Sequence, residues 1–241
     1  MRVIYEPSGR AAEYADLAVN LYRGCGHACD YCYAPKVLRM AHREFWDNPK
    51  PRKDILKKFE RDCQELADAG DTRKILLCFT TDPYQPIEQE YNITGQAIDI
   101  LNNYGLNHTI LTKGGNRIVK DLPRMRTDLC DIGTTLVFSD NASSVEHEPN
   151  AEPTSERIDM LCRAKSLGFR TWVSLEPVWN PMDVFALMKL THTFVDEYRI
   201  GKLNYHPHAK TVDWKKFKHN VVKWCEDLGV NYILKKDLEV L

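Results

Sequence analysis

The chain has 241 residues, an apolar fraction of 43% and a formal net charge of −1, enough for one domain with a substantial core and without a global attraction to nucleic acid or an anionic membrane. No run approaches eighteen consecutive apolar residues and the first ten residues hold no apolar signal core, so we expect no membrane span and a cytoplasmic location. Eight cysteines in a chain of this length and kind read as reduced thiols, not as a disulfide framework.

In chain order, residues 17–22 form the first strand-like run, which leads straight into Arg23-Gly-Cys-Gly-His-Ala-Cys-Asp-Tyr-Cys32. Ile55, Leu56, Phe59, Cys63 and Leu66 then recur at helical spacing, followed by a strand over 74–80. Ile93, Ala97, Ile98 and Leu101 mark a second helix before a strand over 108–112 and another over 132–138. A helix through Ile158, Leu161, Cys162 and Lys165 stops at Gly168, with strands at 169–175 and 194–200 beyond it. Asp213 caps a helix carrying Trp214, Phe217, Val221, Cys225 and Leu228, which ends near Gly229 before a last strand over 232–235.

Continuous apolar strands alternating with helices predict right-handed βαβ units and a parallel sheet. About six units predict an α/β fold, a partial (β/α)6 barrel, with a doubly wound open sheet second. We expect a single domain over 1–241, its core at about 17–200 and a C-terminal helix and strand in 201–241. In either fold, function belongs at the C-terminal strand ends. The basic runs at 50–58 and 210–218 read as solvated faces of amphipathic helices.

The spacing Cys25-x3-Cys29-x2-Cys32 falls at such a strand end. Thiolates are soft ligands suited to iron–sulfur clusters. A cubane has four irons, and three cysteines leave one iron open to a further ligand. Two other readings stand beside this one: a zinc site completed by His27, and a conventional electron-transfer cluster, which wants a fourth cysteine nearby.

The segment from Asn20 to Ala34, with Tyr31 just before the last cysteine, resembles the radical S-adenosylmethionine (SAM) superfamily, and within it the group related to spore photoproduct lyase. Thr80-Thr-Asp-Pro-Tyr-Gln-Pro-Ile-Glu88, Leu111-Thr-Lys-Gly114 and the segment from Glu148 to Arg157 extend the similarity over roughly residues 17 to 180. The resemblance implies a radical SAM barrel holding a [4Fe–4S] cluster on Cys25, Cys29 and Cys32. The open iron would chelate SAM, and reductive cleavage would give a 5′-deoxyadenosyl radical that abstracts hydrogen from substrate. It further implies that Tyr31 and Tyr33 flank SAM, that Thr80, Thr81 and Asp82 contact its amino group, and that Lys113 and Thr135 lie near its carboxylate. Arg157 would pair with a carboxylate, that of SAM or of Glu148, and Glu176-Pro177 would line the substrate side.

Spore photoproduct lyase uses a cysteine as hydrogen donor, and Cys78 and Cys130 are the weak candidates here, which leaves a lyase reaction and thymine-dimer repair open. The implied substrate is a nucleic acid base or nucleotide, with Trp172, Trp179, Trp214, Trp224, Tyr84 and Tyr205 as stacking candidates. A peptide or small metabolite is the alternative. A non-catalytic iron–sulfur or zinc module that senses redox state or binds a partner is the alternative of another class. The superfamily also implies a flavodoxin or ferredoxin as reductant; from the composition alone we expect no membrane partner.

Overall fold

The computed structural model describes residues 2–241. In chain order the strands are β1 (Leu17–Val19), β2 (Tyr22–Arg23), β3 (Lys50–Pro51), β4 (Ile75–Leu77), β5 (His108–Thr112), β6 (Cys130–Thr135), β7 (Arg170–Val178), β8 (Glu197–Lys202) and β9 (Tyr232–Leu234). The helices are α1 (Ala34–Leu38), α2 (His42–Asp47), α3 (Ile55–Asp68), α4 (Glu88–Tyr91), α5 (Ile93–Asn103), α6 (Asn141–His147), α7 (Thr154–Ser166), α8 (Pro181–Thr191), α9 (Trp214–Leu228) and α10 (Lys236–Glu239).

Seven strands form one sheet in the order β1-β4-β5-β6-β7-β8-β9, and each neighbouring pair is parallel. Each of the seven expected strand runs contributes one of them. The sheet follows sequence order without reversal, which is the topology of a partial barrel and not of a doubly wound sheet. Alternation along the strands separates two faces. Ile75 and Leu77 join the large core under the helices, while Leu76 packs with Ala18 and Trp172 on the other face.

The helix signals hold where local chemistry is strong. Asp213 accepts from the Lys216 amide, and Gly229 ends α9 in the left-handed region. The helices the sequence reading does not single out (α1, α2, α4, α6, α8 and α10) are mostly short. Only α8 is long, and Asn180 caps it by accepting from the Met182 amide. The basic run at 50–58 departs from expectation: its first half lies on β3 and the turn before α3, not on a helix face.

The N-terminal segment joins the two edges of the sheet. Tyr5 bridges to Ala18 on β1. Arg10 pairs with Asp237 at 3.1 Å, and Glu13 accepts from the Lys236 amide at 2.9 Å, beyond β9. No helix among the described residues is long and apolar enough to cross a membrane.

Candidate cofactor site

The three-cysteine loop leaves β1 at its C-terminal end. Gly24 turns it with φ +84°, and a Cβ there would lie 2.6 Å from the Phe45 carbonyl oxygen, so no side chain fits. The Cys25 amide donates to that same oxygen at 2.9 Å. Gln85 holds the loop from the side of β4: its Oε1 accepts from the Gly26 amide at 2.8 Å, and its Nε2 donates to the Gly24 carbonyl at 3.2 Å.

The segment between α6 and α7 holds the other side. The Asn150 amide donates to the His27 carbonyl at 3.2 Å and its side chain to the Gly26 carbonyl at 2.9 Å. The Asp30 amide donates to the His147 carbonyl, and the two side chains meet at 2.6 Å.

Burial pushes all three thiols up, Cys29 to about 12. A metal bound by these thiols would displace those protons. The loop's own hydrogen bonds form its bend from protein groups alone, which fits a bulky cofactor seated among the thiols. Among the described residues no three His, Cys, Asp or Glu side chains converge to hold one metal ion; the cysteines of a cubane take different irons and need not converge.

His27 is buried, and its Nε2 accepts from Arg117 at 3.2 Å while Nδ1 faces Asp82 at 3.5 Å. Burial, only partly offset by Asp82, lowers its pKa to about 4. Both ring nitrogens therefore face protein groups, and His27 does not complete a zinc site.

The loop after β4 carries the next part. Asn20 fastens it by accepting from the Phe79 and Thr80 amides at 3.0 and 2.8 Å. Asp82 accepts from the Tyr84 amide (2.8 Å), the Thr112 hydroxyl (2.6 Å) and the Lys113 amide (2.7 Å). Its carboxylate ties the β4 and β5 loops together at the strand end where the sequence places the SAM amino group. The buried hydroxyls of Thr80 and Thr81 beside it have no hydrogen-bond partner, an unusual state for buried polar atoms and one an added amino group relieves.

Lys113, after β5, stands 3.9 Å from Glu148 and 5.6 Å from the Tyr31 ring centroid. Neither contact is a hydrogen bond. Burial disfavours its charge, but the Cys29 sulfur and Glu148 more than offset this, and its pKa is raised.

Arg157 is fully buried. It donates to Glu148 Oε2 at 2.6 Å, to the Thr135 carbonyl at 3.1 Å and to the Glu152 carbonyl at 2.6 Å. Of the two carboxylates offered by the sequence, its partner is Glu148. Thr135, last residue of β6, serves through its carbonyl. Glu148 also accepts from the Tyr31 hydroxyl. Burial would raise the Glu148 carboxyl, but Arg157, Lys113 and these hydrogen bonds hold it below the usual range. Beside Cys29, then, Arg157 and Glu148 satisfy one another, while the partly buried Lys113 keeps an ammonium without a hydrogen bond, which suits an incoming carboxylate.

Across the sheet interior lies a second polar group. The Tyr33 and Phe79 ring centroids are 6.2 Å apart, and those of Phe79 and Tyr14 are 6.0 Å apart. The Tyr14 hydroxyl bonds Glu176 and meets Ser174 Oγ at 3.0 Å, and Lys235 Nζ lies 3.8 Å from Glu176. Gly201 lets Glu176 lie flat, since a Cβ there would sit 2.6 Å from its carboxyl carbon.

Cys78 is buried behind the loop and accepts from the Leu21 amide at 3.5 Å, with burial pushing it up to about 12. Cys130 opens β6, at the strand end opposite the one that carries the loop.

Among the stacking candidates, Tyr84 and Trp172 are buried, and Trp214 and Trp224 pack against Phe217 and Phe185. Trp179 follows β7 with its ring stacked on His208 (centroids 4.5 Å apart, 13°), 4.7 Å from His147 and 6.1 Å from Tyr31. Tyr205 is 66% exposed. Sequence reasoning missed the histidines around Trp179, and also Gln85, Asn150 and Arg117. Polar loop residues of these kinds carry no periodic signal. Glu148 lay in a segment already noted, but only the fold turns it onto Tyr31.

No family model matches the chain. An uncharacterized protein of Methanocaldococcus jannaschii is 23% identical over 192 residues, 79% of this chain and 71% of that protein. An uncharacterized protein of Mycobacterium tuberculosis is 29% identical over 170 residues, 66% of this chain; the match spans about half (48%) of that protein's length. Among solved structures, spore photoproduct lyase with bound AdoMet and dinucleoside spore photoproduct superposes with a TM-score of 0.71, at 14% identity over 92% of this chain and 76% of that one. Streptococcus suis SuiB bound to S-adenosylmethionine gives 0.65 at 12% identity over 90% of this chain and 49% of that one. The chain therefore shares the fold of spore photoproduct lyase.

Proposed function

We propose that this protein is a radical SAM enzyme whose [4Fe–4S] cluster is held by Cys25, Cys29 and Cys32. One observation carries the reading. Three thiols on a protein-braced bend lie beside Lys113, whose ammonium has no hydrogen bond, and beside two unpartnered threonine hydroxyls. An α-amino acid supplies the missing groups, its carboxylate for Lys113 and its ammonium for Thr80 and Thr81. When bound, the cluster and SAM supply a 5′-deoxyadenosyl radical.

The chain's own residues bind, orient and exclude water. Tyr31 is fixed through Glu148, so its ring stays against the loop. Tyr33, Phe79 and Tyr14 wall the interior facing it. Asp82 ties the loops after β4 and β5 together, which fixes Thr80 and Lys113 relative to one another.

For the substrate we propose a nucleic acid base or nucleotide. Support comes from the Trp179–His208 stack at the sheet mouth, one ring removed from Tyr31, since bases are held by stacking. The fold neighbour bound to a dinucleoside spore photoproduct points the same way.

The test is anaerobic reconstitution, then SAM and dithionite, with chromatography for 5′-deoxyadenosine. The expected result is 5′-deoxyadenosine from wild type and none from Cys29→Ala, which also loses the brown iron–sulfur absorbance. A fully loaded cluster that yields none overturns the proposal. Salt-dependent binding of single-stranded DNA or RNA supports the substrate reading; no binding at low salt leaves the peptide or small-metabolite alternative.

A further inference from the structure

Beside the cluster loop, on the outer side of β1, lies a hollow of about 480 Å³ rimmed by Arg23, Lys50, Arg52, Lys53 and Lys58. Within a chain of net charge −1 this is a concentrated positive patch. Two carboxylates answer it: Glu44 at 3.3 Å from Arg23, and Asp54 at 3.8 Å from Lys58. Among the described residues, Lys50, Arg52 and Lys53 have no carboxylate partner, and all three are exposed. Arg52 donates to the Tyr22 carbonyl at 3.1 Å and so helps fix the hollow's shape.

The patch is tied to the cluster loop by the backbone. β2 pairs antiparallel with β3, with Arg23 opposite Lys50. From Arg23 the chain reaches Cys25 in two residues, a span of at most about 7 Å. The remaining wall is the start of α3, which packs on the helix-covered face of the sheet. The hollow thus lies behind the cluster ligands, while Thr80, Lys113 and the Trp179 mouth lie at the strand ends and interior.

We propose that this patch is the docking surface for a small acidic one-electron carrier protein, which reduces the cluster through the Cys25 edge. The inference rests on the radical SAM reading, since reductive cleavage of SAM needs an electron from outside. One electron moves per encounter: the carrier's flavin or iron–sulfur centre is oxidised by one, and the cluster held by Cys25, Cys29 and Cys32 is reduced by one. Charge complementarity steers a negative partner here. A nucleic acid backbone is also anionic, but on this face it would run outside the sheet, away from the interior walled by Tyr33 and Tyr14.

The test is stopped-flow reduction of the reconstituted holoprotein by fully reduced bacterial flavodoxin, for wild type and for the double variant Lys50→Glu with Lys53→Glu. The second-order rate of the variant should fall at least about tenfold at low salt, and the difference should shrink at high salt. Dithionite, which needs no docking surface, should reduce both proteins alike and report that the variant is folded and loaded. Lys50→Gln with Lys53→Gln should fall between the two. Equal flavodoxin rates for wild type and charge-reversed protein overturn the proposal. So does a variant that keeps its flavodoxin rate but loses affinity for single-stranded DNA or RNA, which would assign the patch to nucleic acid. Failure of the radical SAM reading shows in a different arm, as no 5′-deoxyadenosine from wild type with dithionite.

Discussion

Two buried polar groups face each other across the sheet interior, and they are built differently. On the thiol side, Arg157 and Tyr31 bond Glu148, while the ammonium of Lys113 makes no hydrogen bond. On the opposite side, Tyr14, Glu176, Ser174 and Lys235 are satisfied among themselves: the Tyr14 hydroxyl bonds Glu176, and Lys235 bonds the Arg10 carbonyl at 3.4 Å and lies within 4.0 Å of Glu13. Both groups bear the cost of desolvation. Only the first leaves a charge whose natural partner is missing, and that incompleteness marks a ligand site. The second ties the N-terminal segment to the far strands and is structural by the same reasoning.

Three substitutions sharpen the contrast. Arg157→Ala strands the Glu148 carboxylate in the interior and should cost about 3–5 kcal/mol of stability, read by denaturant unfolding of the apoprotein; a loss below about 1 kcal/mol would mean that Glu148 finds water. Lys113→Met should cost the apoprotein less than Arg157→Ala, because Lys113 gives Glu148 only an ion pair at 3.9 Å and no hydrogen bond. It should raise the SAM dissociation constant of the reconstituted protein about tenfold or more, as expected for a charged hydrogen bond. Calorimetry separates these outcomes, and unchanged SAM affinity would remove Lys113 from the site. The smallest effect is Tyr14→Phe, which deletes one buried hydroxyl and should cost about 1 kcal/mol without moving SAM affinity. A Tyr14→Phe protein with normal stability and weakened SAM binding would reverse the assignment of the two sides.

Much of this was legible in the chain. The seven strand runs form the sheet because continuous apolar segments can be buried only between helix layers. The spacing of Cys25, Cys29 and Cys32 marks the loop because ligand chemistry is written in residue type and short separations. What was not legible was how the polar residues pair and where single residues fall. Nothing local says that Asp82 bonds Thr112 and Lys113. Nor does it say that Cys130, a weak donor candidate, starts its strand at the end away from the loop. The basic run at 50–58 looked like a helix face, yet it rims a hollow beside Arg23.

The sequence by itself determined where strands and helices fall, and that three thiols gather on one bend, because periodicity and ligand spacing are local properties. Only the tertiary structure decided which charge meets which. Glu148 lies 117 residues from Tyr31 in the chain, yet accepts its hydroxyl, and Tyr14 reaches Glu176 across the interior. Such pairs are chosen by the strand order that brings them together, and the free energy of a buried charge depends on neighbours that no local pattern names.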